Sequence, residues 1–199
     1  MIDVMYGPHA AKRYVSDFLQ HDIPVRLIDY RNAWNLDDIS LPSPVKFLTY
    51  EPIALDDWPT VITVAISSTG MEREDYSNNN PIYRVAYSMR TYVWVRTEGS
   101  EETTLMRDRL ITVLRSALLD HPCLRAMDTT NFFQVQIDES SLREEYSDLT
   151  LLKGDRVLAG GYLAYDLTLR EIVMRKAIGQ VETLDIETIV VGMTGDLEV

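Results

Sequence analysis

Residues 83–96 read YRVAYSMRTYVWVR and form the clearest secondary-structure element in this sequence. Every second position from Tyr83 to Val95 is apolar, aromatic or threonine, and arginines recur at the positions between them. A period of two over about fourteen residues predicts a long β-strand with one buried face. At ~3.3 Å per residue this strand would reach about 46 Å, which exceeds the usual strand length. We therefore expect it to bend, or to extend beyond the domain's own sheet.

Two helices are predicted on either side of this strand. The first covers residues 8–19, where apolar side chains recur every three or four positions, and His21 to Pro24 is expected to end it. The second begins at Gly99-Ser100-Glu101-Glu102, where Ser100 is expected to cap the free N–H groups. It ends at Asp120-His121-Pro122, and an apolar stripe that includes Leu105 is expected to face the sheet.

The remaining segments predict shorter strands and two polar loops. Strands are expected at residues 25–30, 45–50, 61–66, 133–138 and 163–174, the third of them covered on both faces. Residues 67–81 and 139–155 are polar and are predicted as loops, the first a mobile contact loop and the second with a possible β piece at 149–152. Gly160-Gly161 is expected to permit a bend into the last strand.

The order of these elements is not a strict alternation of strand and helix. It predicts an α+β fold, with a mainly antiparallel β-sheet, two principal helices packed on it and a C-terminal β-prone arm. The domain is expected to cover residues 1–176. The arm or extension covers residues 177–199 and contains two β-prone runs, 182–186 and 188–191.

Composition narrows the classes of function. The 199 residues carry 19 Lys and Arg against 31 Asp and Glu, a net charge of −12, which argues against a general binder of nucleic acid or anionic membranes. The single cysteine, Cys123, excludes a disulfide framework within the chain. Since there is no apolar run of membrane length and no basic-then-apolar leader, we expect neither a membrane span nor a secretion signal.

No motif in the sequence points to catalysis, a cofactor or a metal, and none is expected. His9, His21 and His121 lack metal-ligand spacing, and there is no phosphate-binding glycine loop or nucleophile elbow. Acidic pairs recur at Asp37-Asp38, Asp56-Asp57, Glu101-Glu102 and Glu144-Glu145. We interpret them as solvated turns or surface positions, and a small acidic hydrolase that uses such a pair is the more distant alternative.

Five side chains on one face of the long strand are the candidate interface residues: Arg84, Arg90, Tyr92, Trp94 and Arg96. Arginine interleaved with aromatic residues suits a platform for single-stranded nucleic acid, but Arg, Tyr and Trp are also the preferred anchors of protein–protein interfaces. The acidic net charge favours the protein interface.

The order of elements resembles the tail terminator, or tail completion, proteins of long-tailed bacteriophages. The resemblance rests on the N-terminal helix, on YRVAYSMRTYVWVRTEGSEETTLMRDRLITVLRSALLDHPCL and on the late strand YLAYDLTLREIVM, and it covers roughly residues 6–175. It implies an α+β subunit of a homohexameric ring at the head-proximal end of the tail tube, with no catalytic residues. Such a ring ends tube polymerisation and provides the attachment surface for the head and neck.

The resemblance also implies partners and a location. The partners are sister copies, the tail tube protein and head–tail connector or neck proteins, while DNA passes through the lumen without specific binding. The location is the virion, after assembly in the cytoplasm of the bacterial host. Asp37, Asp38, Asp56, Asp57 or residues 72–75 are candidates to line the lumen. A head–tail joining protein of the same junction is the alternative, and in either case sister copies are expected to complete a free edge of the overlong strand.

Overall fold

The computed structural model describes residues 7–52, 54–77, 80–124, 135–146, 151–153 and 156–172. Within these ranges the chain forms two helices and seven strands. They are α1 (Gly7–Trp34), β1 (Lys46–Leu48), β2 (Thr60–Ser77), β3 (Asn80–Thr97), α2 (Ser100–Asp120), β4 (Cys123–Leu124), β5 (Val135–Tyr146), β6 (Leu151–Lys153) and β7 (Arg156–Ile172). Of the predicted strands, residues 133–134, 149–150 and 173–174 lie outside the described residues, as does the predicted arm at 177–199.

All seven strands belong to one sheet in the order β1-β2-β3-β7-β5-β4, with β6 also paired to β7. β1 runs parallel to β2 and every other described pair is antiparallel. Both helices pack on the same face of this sheet, and their apolar stripes join the buried side chains of β3 and β7 in one core. The predicted α+β class, with helices on a mainly antiparallel sheet, is confirmed.

The long strand does not extend beyond its own sheet, so this alternative of the prediction is wrong. β3 covers 18 residues, but β2 pairs with one of its edges and β7 with the other over almost its whole length. The strand is long because residues 67–77, predicted as a loop, form the second half of β2. Their polar side chains need no core because β2 lies near the border of the sheet, where residues 66–73 are exposed and only the backbone has to be paired.

Helix α1 continues through Pro24, so the predicted end at Pro24 and the predicted strand at 25–30 are also wrong. Leu19, Ile23 and Leu27 follow one another at four-residue spacing and are fully buried. A proline inside a helix costs about 3 kcal/mol, whereas burying each large aliphatic side chain contributes about 1.5–3 kcal/mol. Past Pro24 the stripe continues with buried Leu27 and partly buried Tyr30, and their packing on the core offsets the backbone penalty of the proline.

Helix α2 has its predicted bounds, but its first turns differ from the prediction. Gly99, not Ser100, is the N-cap and has no side-chain cap, and the Thr103 hydroxyl donates to the Gly99 carbonyl oxygen at 2.5 Å. Leu105, expected in the buried stripe, is largely exposed, while Arg107 is buried on the sheet side. The helix is thus rotated slightly from the orientation that its apolar pattern predicts.

The second predicted loop and the glycine pair also differ from expectation. β5 continues through residues 139–146, where its antiparallel pairing with β7 is interrupted at 139–142 and resumes to supply backbone partners for the polar residues 143–146. Gly160 and Gly161 lie inside β7, in register with Trp94 and Val93, and mark no bend before a strand. The predicted strand at 61–66 is confirmed within β2, and residues 61–64 are buried on both faces.

One ion-pair cluster joins the two helices and makes stability depend on pH. The Arg26 guanidinium donates to Asp120 Oδ2 at 2.9 Å and to Asp22 Oδ2 at 2.7 Å. The hydrogen bond from Arg26 lowers the pKa of Asp120 from its ordinary value of 3.8. A carboxyl whose pKa is lowered by folding stabilises the fold above its ordinary pKa, and this stabilisation is lost as pH falls through the lowered value.

We expect Asp120→Asn to lower the thermal unfolding midpoint at pH 7 and to lower it less at pH 2, because wild-type Asp120 loses its charge as pH falls through its lowered pKa. Asp29→Asn, which changes an exposed carboxylate on α1, is the matched control and should leave the midpoint unchanged at both pH values. Thermal unfolding followed by circular dichroism across this pH range measures the difference. An equal loss for Asp120→Asn at pH 2 and pH 7 would contradict the ionic origin of the contact.

Candidate functional site

One face of the sheet carries no helix among the described residues, and we call it the open face. It consists of Arg84, Ala86, Ser88, Arg90, Tyr92, Trp94 and Arg96 from β3 together with Tyr162, Ala164, Asp166, Thr168 and Arg170 from β7. The side chains that alternate with them point to the helices and are almost all buried. All five interface candidates lie on the open face, where Arg84 is exposed and the other four are half-buried.

The centre of the open face is an arginine–tyrosine cluster. The Arg90 guanidinium carbon lies 4.8 Å from the ring centroid of Tyr162, and Arg90 Nη1 donates to the Tyr92 hydroxyl at 3.5 Å. The Tyr92 and Tyr162 rings lie 5.0 Å apart, and the Tyr162 hydroxyl donates to the Glu145 carboxylate of β5. The hydrogen bond to Tyr92 raises the pKa of Arg90, so this side chain stays cationic on an aromatic surface.

One carboxylate from β2 forms ion pairs with two arginines at one end of the open face. Glu74 lies at a bulge between Arg73 and Asp75, and its carboxylate forms ion pairs with Arg84 and, at 2.6 Å, with Arg170. Because a bulge re-aims a side chain, Glu74 reaches across β3 to β7. Sequence reasoning named Glu74 only among the lumen candidates 72–75, in a predicted loop, and it missed the contact of Glu74 with these arginines because the bulge has no local sequence signal.

The ring of Trp94 packs closely on the neighbouring strand β7. A Cβ atom at Gly160 would lie 2.6 Å from the indole ring, so the ring packs directly against the backbone of β7. An aromatic ring that covers a glycine of the neighbouring strand helps to fix the register of the two strands. Trp94 therefore supports the fold as well as the surface, and Arg90 is the cleaner probe of what the open face binds.

Three of the acidic pairs have at least one member with a local structural contact. The Asp37 carboxylate accepts a hydrogen bond from the Ser40 amide at 2.7 Å, and its hydrogen bonds to Ser40 lower the pKa of Asp37. Asp57 forms an ion pair with Lys46, and Glu144 accepts from Arg115 at 2.6 Å. Among the residues that the structure describes, no three His, Cys, Asp or Glu side chains are placed to hold a metal ion.

Glu101 and Glu102 are the acidic pair that borders a cavity. This cavity has a volume of about 380 Å³, lies beside the first turn of α2 and is also lined by Ser40 and Arg109. Both glutamates are exposed in the first turn of α2. Carboxylates are common there because the N-terminus of a helix carries a partial positive charge. Their placement is therefore explained by the helix.

Comparison with known proteins does not assign this chain to a family. No protein family tested matches this chain, and no curated protein matches it. None of the helices in the described part of the chain has the length and apolar character needed to cross a membrane.

Proposed function

We propose that this protein is a structural subunit of a bacteriophage tail, which forms a ring at the head-proximal end of the tail tube and ends tube polymerisation. The resemblance in element order supports the tail terminator role, and the α+β fold agrees with it. The observation that carries the proposal is the open face, one whole side of the central sheet with an arginine and aromatic centre.

The chemistry of the open face suits a protein partner. Arg, Tyr and Trp anchor protein interfaces because they bury a large area while keeping polar groups for hydrogen bonds. Glu74, Glu145 and Asp166 are interspersed with the arginines of this face, and Asp166 accepts from Ser88 at 2.7 Å. Mixed charge of this kind is favourable for a complementary protein surface and unfavourable for a polyanion.

The observed strand pairing restricts how copies of this chain could contact one another in a ring. Sister copies cannot complete the edges of β3, because β2 and β7 already pair with them. In the proposed ring the subunits contact one another through side chains of the open face, and an added backbone strand at β3 is excluded.

The mass of the assembled protein tests the proposal. We expect native mass spectrometry to detect a ring, with six copies as the family resemblance implies, and electron microscopy to locate it where the tail tube meets the head. A chain that stays monomeric and never joins tail tubes would contradict the proposal. A ring located on the head side of the junction, away from the tube, would favour the alternative, a head–tail joining protein.

We expect Arg90→Glu to weaken assembly at least tenfold while the unfolding midpoint of the monomer changes little. The reversal places a negative charge beside Glu145 on the surface proposed to meet a neighbour, whereas Arg90 is half-buried and makes no core contact. Arg13→Glu, the same charge change on the exposed side of α1, is the control. Analytical ultracentrifugation gives the association constant, and equal assembly of the two variants would remove Arg90 from the interface.

A further inference from the structure

The outer side of α1 carries an exposed apolar patch. Val25 is 64% exposed and Ile28 is 56% exposed, and the exposed Pro24 lies beside them. Residues three and four positions apart are neighbours on a helix surface, so these side chains form one continuous patch. The exposed carboxylate of Asp29 borders it, and we call these four residues the α1 patch. Because Leu27 in the same turn is fully buried, α1 is apolar on two sides here, which is typical of a helix that packs on both.

The open face offers groups that are complementary to the α1 patch. The arginine–tyrosine cluster presents the rings of Tyr92 and Tyr162 beside the Arg90 guanidinium. β5 extends this face with the exposed Arg143, which pairs with Ala164 of β7 from one side while Arg90 pairs with it from the other. Neighbouring strands lie ~4.8 Å apart, so the backbones of the two arginines are about 10 Å apart. The residue between them is an alanine, which leaves room for an incoming side chain.

The gap above Ala164 attracts a carboxylate more strongly than the surrounding acids repel it. Each of the two arginines is one strand spacing away, whereas Asp166 lies about 6.6 Å along β7 and Glu145 is farther still. Both acids also have donors within the subunit, since Ser88 donates to Asp166 at 2.7 Å and Tyr162 donates to Glu145. Coulomb attraction to the two nearer cations therefore exceeds the repulsion.

A ring needs two different contact surfaces on each subunit. A contact that uses the same patch on both partners closes at two copies, whereas a head-to-tail contact between different patches continues to further copies and can close into a ring. α1 and the open face lie on opposite sides of the sheet. The helix layer of one copy can therefore cover the open face of the next, as helices cover a sheet within a domain.

We propose that the α1 patch of one copy docks on the arginine–tyrosine cluster of the next copy. This inference rests on the proposed ring and names the second surface that the ring uses. Val25 and Ile28 pack on the tyrosine rings, and Asp29 enters the gap between Arg90 and Arg143. The contact is absent from dilute, monomeric protein, so Asp29→Asn remains a valid control for thermal unfolding there.

Two variants, each with one surface altered, test this contact when they are mixed. Ile28→Lys places a cation on the α1 patch, and Arg90→Glu reverses a charge on the open face. Each variant alone is expected to assemble at least tenfold more weakly than the wild type. A mixture keeps one intact contact, between the α1 patch of Arg90→Glu and the open face of Ile28→Lys. We therefore expect at least tenfold more dimer in an equal mixture than in either variant at the same total concentration, with no growth to a ring.

Leu105→Lys is the matched control for Ile28→Lys. Leu105 is 44% exposed near the start of α2, whereas α1 contacts α2 near its end, where Arg26 donates to Asp120. This variant should assemble like the wild type. Analytical ultracentrifugation over a concentration series measures all four samples, and native mass spectrometry identifies the mixed dimer.

The outcomes separate this contact from the ring itself. A wild-type chain that stays monomeric overturns the contact together with the proposed function. A wild-type ring with an Ile28→Lys variant that assembles like Leu105→Lys overturns the contact alone. A mixture with no more dimer than its separate components does the same, because it shows that the two surfaces do not meet.

Discussion

Leu27→Ala is expected to lower the free energy of unfolding by about 2–5 kcal/mol, the range typical of large-to-small substitutions in a core. Leu27 is fully buried and continues the stripe of Leu19 and Ile23 along α1 toward the sheet. Removal of its side chain leaves a cavity between α1 and the rest of the core. Urea denaturation followed by circular dichroism, at a concentration where the chain is monomeric, measures the loss.

Ile28→Ala is the matched control for Leu27→Ala. It removes a side chain of the same size at the next position, but Ile28 is 56% exposed on the outer side of α1. A change within about 0.5 kcal/mol is therefore expected. Comparable losses in both variants would show that residues 25–30 do not present a single helical face to the core.

Gly161→Val should have the second large effect, a loss of about 3 kcal/mol or more, at the upper end of what overpacking costs. A Cβ atom at Gly161 would lie 2.6 Å from Ile111 Cδ1 of α2 and 3.1 Å from the backbone oxygen of Glu145. Valine adds two further methyl groups in the same space. The helix and the neighbouring strand would have to move apart, and the contact of Arg107 with this region would be lost with them.

Gly70→Val is the control for Gly161→Val, because it makes the same change in another strand. A Cβ atom at Gly70 meets no atom within 4 Å. Valine favours the strand conformation, so we expect this variant to be neutral or slightly stabilising. Urea denaturation of both variants gives the comparison. If Gly161→Val proved as stable as Gly70→Val, α2 would not pack closely on β7 at this point.

Local patterns predicted the central strand and helix α2 well. Alternation in residues 83–96 depends on the pleat of the strand itself, and the bounds of α2 follow from Gly99 and from Pro122, so neighbouring residues suffice to reveal both. The same alternation placed all five interface candidates on one face of the sheet.

Long-range pairing decided what local patterns could not. Residues 67–77 and 143–146 lack an apolar face, yet they lie in strands because β3 and β7 supply partners for their backbones. Glu74 reaches the open face through a bulge, where β2 has one residue more than β3 between two successive backbone pairs.

Local patterns were enough to predict the long central strand and the side of it on which arginine and aromatic residues lie, because both depend on the period of one element. The order of such elements predicted the α+β class. Tertiary structure alone decided that α1 passes through Pro24, that both edges of β3 are paired within the chain, and that Gly160 and Gly161 admit Trp94 and Ile111. These features depend on contacts between segments far apart in the chain, and their packing free energy exceeds the local preferences that oppose it.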